Sequence, residues 1–332
     1  MFSRKSLAVA GAAAVGLLAG TSYRRFQQEL RTARLRVGNG SCVAETAHGR
    51  IEYAQEGEGE SILVVHGAGG GFDQGLLFSR GLAQRGFKIT SVSRFGYLRT
   101  PLPEDASPQA QADAHADLLD TLGIRNTVII GASAGAPSAM QFALRHPERC
   151  SGLVLLVPLT WAPGDALRSV HRPARLAEVM LRWLVASDPI YWLGLRIARD
   201  LIIGTVLGTP PALVKAADQN EQIRINEVLY SVLPLSSRAA GLRNDARVAQ
   251  ALDRYDLESI RVRTLVVALR DDLYGMFAGA HYSAEHIHGA QFISYDRGGH
   301  LWVGHQDTLM KAVASFAHGC SQSERSESGD GR

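Results

Sequence analysis

Short, fully apolar runs alternate with stretches of helical period along most of this chain. "ILVV" (62–65) precedes "DQGLLFSRGLAQRG" (73–86), whose apolar positions recur at helical spacing, and "FKITSVS" (87–93) predicts a strand. "SPQAQADAHADLLDTLG" (107–123) opens on an N-cap serine with proline in its first turn and closes on glycine, which predicts a helix. "NTVIIGA" predicts a strand, "AGAPSAMQFALRHPERC" a helix stopped near Pro147, and "SGLVLLVP" (151–158) another strand. Strands that are apolar throughout and separated by helices point to a parallel sheet covered on both faces. Right-handed crossovers then make it a doubly wound open sheet. Upstream, "CVAETAHGRIEYAQEG" alternates around a central His-Gly and predicts an antiparallel hairpin leading into that sheet.

The alternation stops after residue 158. "DALRSVHRPARLAEVMLRWLVAS", "DPIYWLGLRIARDLIIG" and "PPALVKAADQNEQIRINEVLYSVLP" are helical stretches with no strand between them. Strand signals return with "VRTLVVAL" (262–269) and "AQFISYD", separated by the helical "AGAHYSAEHIHG", and a final amphipathic helix covers "LWVGHQDTLMKAVASFAHG". The predicted organisation is one α/β domain (residues 41–158 and 254–318) interrupted by a helical cap insertion (159–253), with a disordered, apolar-poor tail at 319–332.

Residues 1–40 read differently. Arg4 and Lys5 precede an apolar run from Leu7 to Gly20, and Arg24, Arg25, Arg31, Arg34 and Arg36 follow it. A basic start and a short apolar centre fit a secretory signal, but cations beyond the run resist export. The expectation is an N-terminal membrane anchor or signal followed by a polar linker helix. The protein would then be membrane-associated, or, if the segment were cleaved, secreted or periplasmic.

Composition narrows the function. The chain has 332 residues, 46% of them hydrophobic, enough for a large core, and a net charge of +3 spread along its length. No basic face with aromatic readers is visible, so a nucleic-acid partner is not expected. Cys42, Cys150 and Cys320 are distant and odd in number, which gives neither a disulfide framework nor a metal-ligand spacing. His281, His286 and His288 lie close together, but no acid or cysteine completes a ligand set, so neither metal nor organic cofactor is expected.

"GASAG" (131–135) carries the candidate chemistry. It is a G-x-S-x-G pattern between a strand and a helix, where a tight turn holds the Ser133 hydroxyl above the sheet edge. The turn also aims the Ala134 N–H and a helix N-terminus at the same point. Three further features follow in the order a nucleophile needs. "VVHGAGGG" (64–71) is a glycine-rich loop after an earlier strand, able to supply a second oxyanion donor from Ala68. Asp271 and Asp272 stand just past a late strand, and His300 sits in "GGH" after the last one.

On "HGAGG", "GASAG", "RDD" and "GGH", over about residues 42–318, the chain resembles the α/β-hydrolase superfamily, in its branch with a helical cap. The resemblance implies Ser133 as nucleophile, His300 as base, Asp272 as the acid orienting it, and the Ala68 and Ala134 N–H groups as the oxyanion hole. Asp271 and Asp245 are the alternative acids. The family's Asp-Arg-x-Gly-x-Gly stretch is represented by "SRFGYLRT" (93–100), where Ser93 replaces the acid and Leu98 the second glycine. His66 is expected to brace the loop. Gly67, Trp161 and Trp183 are candidate substrate-binding residues, the tryptophans among apolar cap residues suited to an acyl or aromatic small molecule. The implied activity is serine hydrolysis of a carboxylic ester. The alternatives are carbon–carbon hydrolysis of a vinylogous 1,5-diketone and a non-catalytic binding protein on the same fold.

Overall fold

The computed structural model describes the backbone of residues 4–164 and 187–329, and side chains over 19–164 and 187–320. The hairpin forms as β1 (Cys42–Thr46) and β2 (Gly49–Glu56), followed by β3 (Glu60–Val65), α2 (Phe72–Phe78) and β4 (Phe87–Val92). Then come α3 (Pro108–Thr121), β5 (Thr127–Ala132), α4 (Ala136–Arg145) and β6 (Cys150–Leu156). Among the described residues, five helices follow β6: α5 (Asp188–Ile197), α6 (Arg199–Val206), α7 (Pro211–Ala216), α8 (Gln219–Ser231) and α9 (Ala239–Gln250). The sheet resumes with β7 (Thr264–Leu269), α10 (Phe277–His286) and β8 (Gln291–Tyr295), and α11 (Gln306–Gly329) closes the chain. The eight strands lie in the order β1-β2-β4-β3-β5-β6-β7-β8. β1, β2 and β4 pair antiparallel, and every pair from β4–β3 to β7–β8 is parallel.

The parallel strands are apolar throughout because both faces are covered. Ile62, Val64, Ile130, Val154 and Val267 enter one apolar cluster, while Leu63, Val65, Ile129, Leu155 and Val266 enter another on the opposite face. Alternate residues of one strand necessarily point to opposite faces. The second cluster holds α3 and α4. The first holds α11, the inserted helices and the N-terminal helix. α3 starts as its sequence predicts: Ser107 Oγ accepts the Ala110 N–H at 3.1 Å, and Pro108 occupies the first turn.

The expected N-terminal anchor is not supported. Among the described residues, no helix is long and apolar enough to cross a membrane. The segment belongs instead to one continuous helix, α1 (Arg4–Asn39), whose second half is a strut rather than a linker. Phe26, Leu30, Ala33 and Val37, at spacings of four, three and four, form its buried stripe. Phe26 meets Trp192 of α5 edge-on at 5.5 Å, and Glu29 accepts from Trp192 Nε1 at 3.0 Å and Arg196 Nη2 at 2.6 Å. Arg36 donates to the carbonyls of Ser231 and Leu233. The segment expected as a polar linker helix thus includes contacts that tie α1 to the inserted helices.

The tail also departs from expectation, since α11 continues to Gly329. Leu309, Met310, Val313, Phe316 and Ala317 are buried and fix the first turns, after which each added residue gains a hydrogen bond without a new nucleation cost.

Candidate active site

Ser133 directly follows β5 with φ at 49°, in the left-handed region that side chains avoid. Holding a non-glycine residue there costs on the order of 1–3 kcal/mol, and the surroundings enforce it. A Cβ at Gly131 would stand 2.6 Å from Ala139 Cβ, and one at Gly135 would stand 2.4 Å from the Val65 carbonyl oxygen. The two glycines therefore let helix, strand and loop close around the serine. The Leu159 N–H, beyond β6, donates to the Ser133 carbonyl at 3.0 Å and pins the turn.

Past β7, Asp272 is buried, and its two carboxylate oxygens serve two masters. Oδ1 accepts the Tyr274 N–H at 2.8 Å, and Oδ2 lies 2.8 Å from Nδ1 of the equally buried His300. A carboxylate only accepts, so the proton sits on Nδ1 and leaves the Nε2 lone pair as the basic site. Asp271 acts on the backbone, accepting the N–H groups of Gly299 at 2.7 Å and Gly298 at 3.2 Å. The segment between α6 and α7 braces both loops. The Gly208 carbonyl accepts from His300 N–H at 3.2 Å and Leu273 N–H at 3.0 Å. Tyr274 lies edge-on to His300 at 4.7 Å, and its hydroxyl donates to the Val206 carbonyl at 2.7 Å. Burial raises the Tyr274 pKa, so it remains a donor.

Ser133, Asp272 and His300 all follow the carboxyl ends of parallel strands. No hydrogen bond joins Ser133 to His300 in this structure; in sites without substrate this contact is often long and tightens on binding.

The loop after β3 abuts the serine, since a Cβ at Gly67 would stand 3.2 Å from Ser133 Cβ. Most of its N–H groups are engaged. Gly67 donates to Gln74 Oε1 at 3.0 Å, Gly69 to the Tyr97 hydroxyl at 3.3 Å and Gly70 to the Gly67 carbonyl at 3.3 Å. Among the described residues the Ala68 N–H meets no acceptor, and Ala134 lies in the first helical turn, where N–H groups lack intrahelical partners. His66 is buried and braces this loop, accepting the Arg94 N–H on Nε2 at 3.0 Å and reaching the Gly67 carbonyl from Nδ1 at 2.6 Å. Burial, then the Arg94 charge, holds its pKa well below the usual range, so it stays neutral.

A family model for the alpha/beta hydrolase fold matches residues 60–185. An alpha/beta hydrolase fold protein from Nakamurella multipartita superposes with a TM-score of 0.65 at 27% identity, covering 83% of this chain and 98% of that one. The chain belongs to the α/β-hydrolase superfamily. An uncharacterized hydrolase, YcgS, of Bacillus subtilis (strain 168) is 28% identical to this hydrolase over 269 residues, 77% of this chain and 90% of its own length. A 2-hydroxy-6-oxo-6-phenylhexa-2,4-dienoate hydrolase of Comamonas testosteroni is 25% identical over 146 residues, 42% of this chain. The match spans only about half (49%) of that relative.

The hydrolase places its other candidates more widely. Asp245 does not meet His300; it receives Arg94 and Tyr97. Trp161 packs edge-on against Tyr282 of α10 at 5.2 Å, and Trp183 lies outside the described residues. Gly67 spends its N–H on Gln74, which leaves close approach as its contribution. Among the described residues no group of three His, Cys, Asp or Glu could hold a metal ion; His281 and His286 stack on Phe277 and Tyr282.

Sequence reasoning missed the groups that tie the insertion to the loops. Arg238, fully buried, donates to Asp73 Oδ2 at 2.8 Å and reaches the Gly70 carbonyl. Arg224 donates to the Leu301 carbonyl at 2.7 Å and pairs with Glu221. The carboxylate absent at Ser93 comes from β2: buried Glu52 accepts the Ser93 hydroxyl at 2.8 Å, and Ser93 Oγ accepts the Phe72 N–H at 3.1 Å. The departure from the family stretch at Ser93 was the one legible signal of that exchange.

Proposed function

We propose that this hydrolase cleaves an apolar or aromatic carboxylic ester through an acyl-enzyme. The observations that support the reading most are the His300 Nδ1–Asp272 Oδ2 contact at 2.8 Å and a serine held on a left-handed strand-to-helix turn, each past the carboxyl end of a parallel strand. Nε2 takes the Ser133 proton as its oxygen attacks the carbonyl carbon. The new oxyanion receives the N–H groups of Ala68 and Ala134. Nε2–H then protonates the leaving alkoxide, and Asp272 stabilises the imidazolium in between. Water, deprotonated by the same Nε2, attacks the acyl carbon and releases Ser133. Every step is proton transfer or acyl transfer, and the chain's own groups supply each.

Carbon–carbon hydrolysis is the second reading, favoured by the match to a 2-hydroxy-6-oxo-6-phenylhexa-2,4-dienoate hydrolase. A panel of p-nitrophenyl esters of graded acyl length, run beside a vinylogous 1,5-diketone, separates the two. The ester reading expects pre-steady-state release of about one nitrophenolate per chain, the mark of an accumulating acyl-enzyme. Turnover of the diketone with negligible ester cleavage would replace it with the second reading.

A further inference from the structure

The inserted helices contribute a carboxylate that ends, through one arginine, on the peptide bearing the oxyanion donor. Asp245, on α9, accepts Arg94 Nη1 at 2.7 Å and Nη2 at 2.8 Å, a two-pronged pair with both partners buried. The rest of the guanidinium grips the loop after β3. Nε donates to the His66 carbonyl at 2.9 Å and Nη2 to the Gly67 carbonyl at 3.3 Å. Tyr97 completes the assembly, donating its hydroxyl to Asp245 Oδ2 and accepting the Gly69 N–H at 3.3 Å. Carbonyls or N–H groups of residues 66, 67 and 69 are thus held by groups that converge on Asp245.

Peptide planarity gives this arrangement a consequence. The Gly67 carbonyl and the Ala68 N–H belong to the same peptide unit, and in a trans peptide they point in opposite directions. Whatever fixes the Gly67 oxygen therefore fixes where the Ala68 N–H points. That oxygen receives Arg94 Nη2, the Gly70 N–H at 3.3 Å and, at 2.6 Å, His66 Nδ1. Donors converging on the carbonyl also polarise the peptide and strengthen its N–H as a donor. A guanidinium without its carboxylate would be an uncompensated buried charge, and it would not hold its position.

We propose that Asp245 is a positioning residue for the oxyanion hole: acting through Arg94, it aims the Ala68 N–H at the oxygen that becomes negative in the transition state. This rests on Ser133 being the nucleophile. It means that the insertion sets the rate of acylation as well as covering the substrate, because the carboxylate it contributes lies 151 positions from Arg94 in sequence yet sits in direct contact with it.

The test is the rate at which a fluorophosphonate phosphonylates the full-length protein. Its phosphoryl oxygen needs the same donors, and its reaction does not depend on knowing the substrate. Wild type, Asp245→Asn and Tyr97→Phe are compared, with final stoichiometry, melting temperature and the pH midpoint of the rate read for each. Asp245→Asn is expected to slow labelling roughly 10- to 100-fold, short of the 10²–10³ typical of losing a donor outright. Stoichiometry should still reach one per chain, and the pH midpoint should not move. Tyr97→Phe, a milder change that keeps the Arg94 pair, should slow labelling several-fold and serves if the asparagine variant does not fold. Lower stoichiometry with an unchanged rate per reactive chain would mean a purely structural role and overturn the proposal. A wild-type rate in both variants would do the same. Failure of wild type to label at Ser133 would instead remove the nucleophile assignment on which the proposal stands.

Discussion

Asp272 holds His300 with one carboxylate oxygen and its own loop with the other, each at 2.8 Å. Its neighbour Asp271 bonds only to backbone, at Gly298 and Gly299. Two adjacent acids therefore have separable duties. Asp272→Asn should lower kcat for a p-nitrophenyl ester by roughly 10³–10⁴, because an amide nitrogen facing Nδ1 favours the wrong tautomer. Asp271→Asn should cost far less, about tenfold, since an amide oxygen still accepts one of the two N–H groups. Steady-state kinetics on both variants check the ranking; equal losses would contradict the division of labour.

Gly135 makes a steric prediction. A methyl group there would stand 2.4 Å from the Val65 carbonyl oxygen and 2.6 Å from that of His66, both backbone atoms in the strand and loop beside the serine. Gly135→Ala must push the turn and the loop apart. Overpacking of this kind costs about 1–3 kcal/mol, and it would also misplace the Ala68 donor. Urea denaturation should show that loss, and kcat should fall with it while KM changes little.

The α8 clamp on the histidine loop predicts a reversal. Arg224 donates to both Glu221 oxygens, at 2.9 and 2.6 Å, and to the Leu301 carbonyl, while Glu221 Oε1 accepts the Gly304 N–H at 3.0 Å. Both side chains are buried. Arg224→Met alone strands a buried carboxylate and should cost about 3–5 kcal/mol. Arg224→Met combined with Glu221→Leu removes both charges and should cost less than the single change. Denaturation midpoints of the two variants decide it.

Much of this architecture was readable from the chain. The apolar runs at 62–65 and 127–132, alternating with helical stretches, point to strands buried on both faces, and a serine between glycines after one of them points to a tight turn. What escaped were pairings between residues far apart in sequence. Nothing local tells Arg94 that its partner is Asp245, or Ser93 that Glu52 supplies the missing carboxylate. The stripe Phe26, Leu30, Ala33 and Val37 has helical period, but it lies among arginines, which point to a polar linker helix. Side chains that unite apolar stems with charges need the fold to show which part is covered.

Acid should weaken the fold through its buried imidazoles. Burial, with Arg94 nearby, lowers the His115 pKa to about 3, and its Nδ1 has no partner among the described residues. Unfolded, the same group titrates near 6.5. The unfolded chain therefore takes up the proton first. The stability of the neutral buried form is complete above about pH 6.5 and is lost as pH falls toward 3, at about 1.4 kcal/mol per pH unit for each such group. His66 shifts in the same direction. His115→Leu should flatten the decline by one proton between pH 6 and 4, read as urea midpoints at several pH values. An unchanged slope would contradict the assignment.

The most direct measurement is to map the covalent adduct of a fluorophosphonate by peptide mass spectrometry, in wild type and in folded Ser133→Ala. The account predicts one adduct per wild-type chain, on Ser133, and none on the variant. An adduct on another residue, or equal labelling of both proteins, would contradict it.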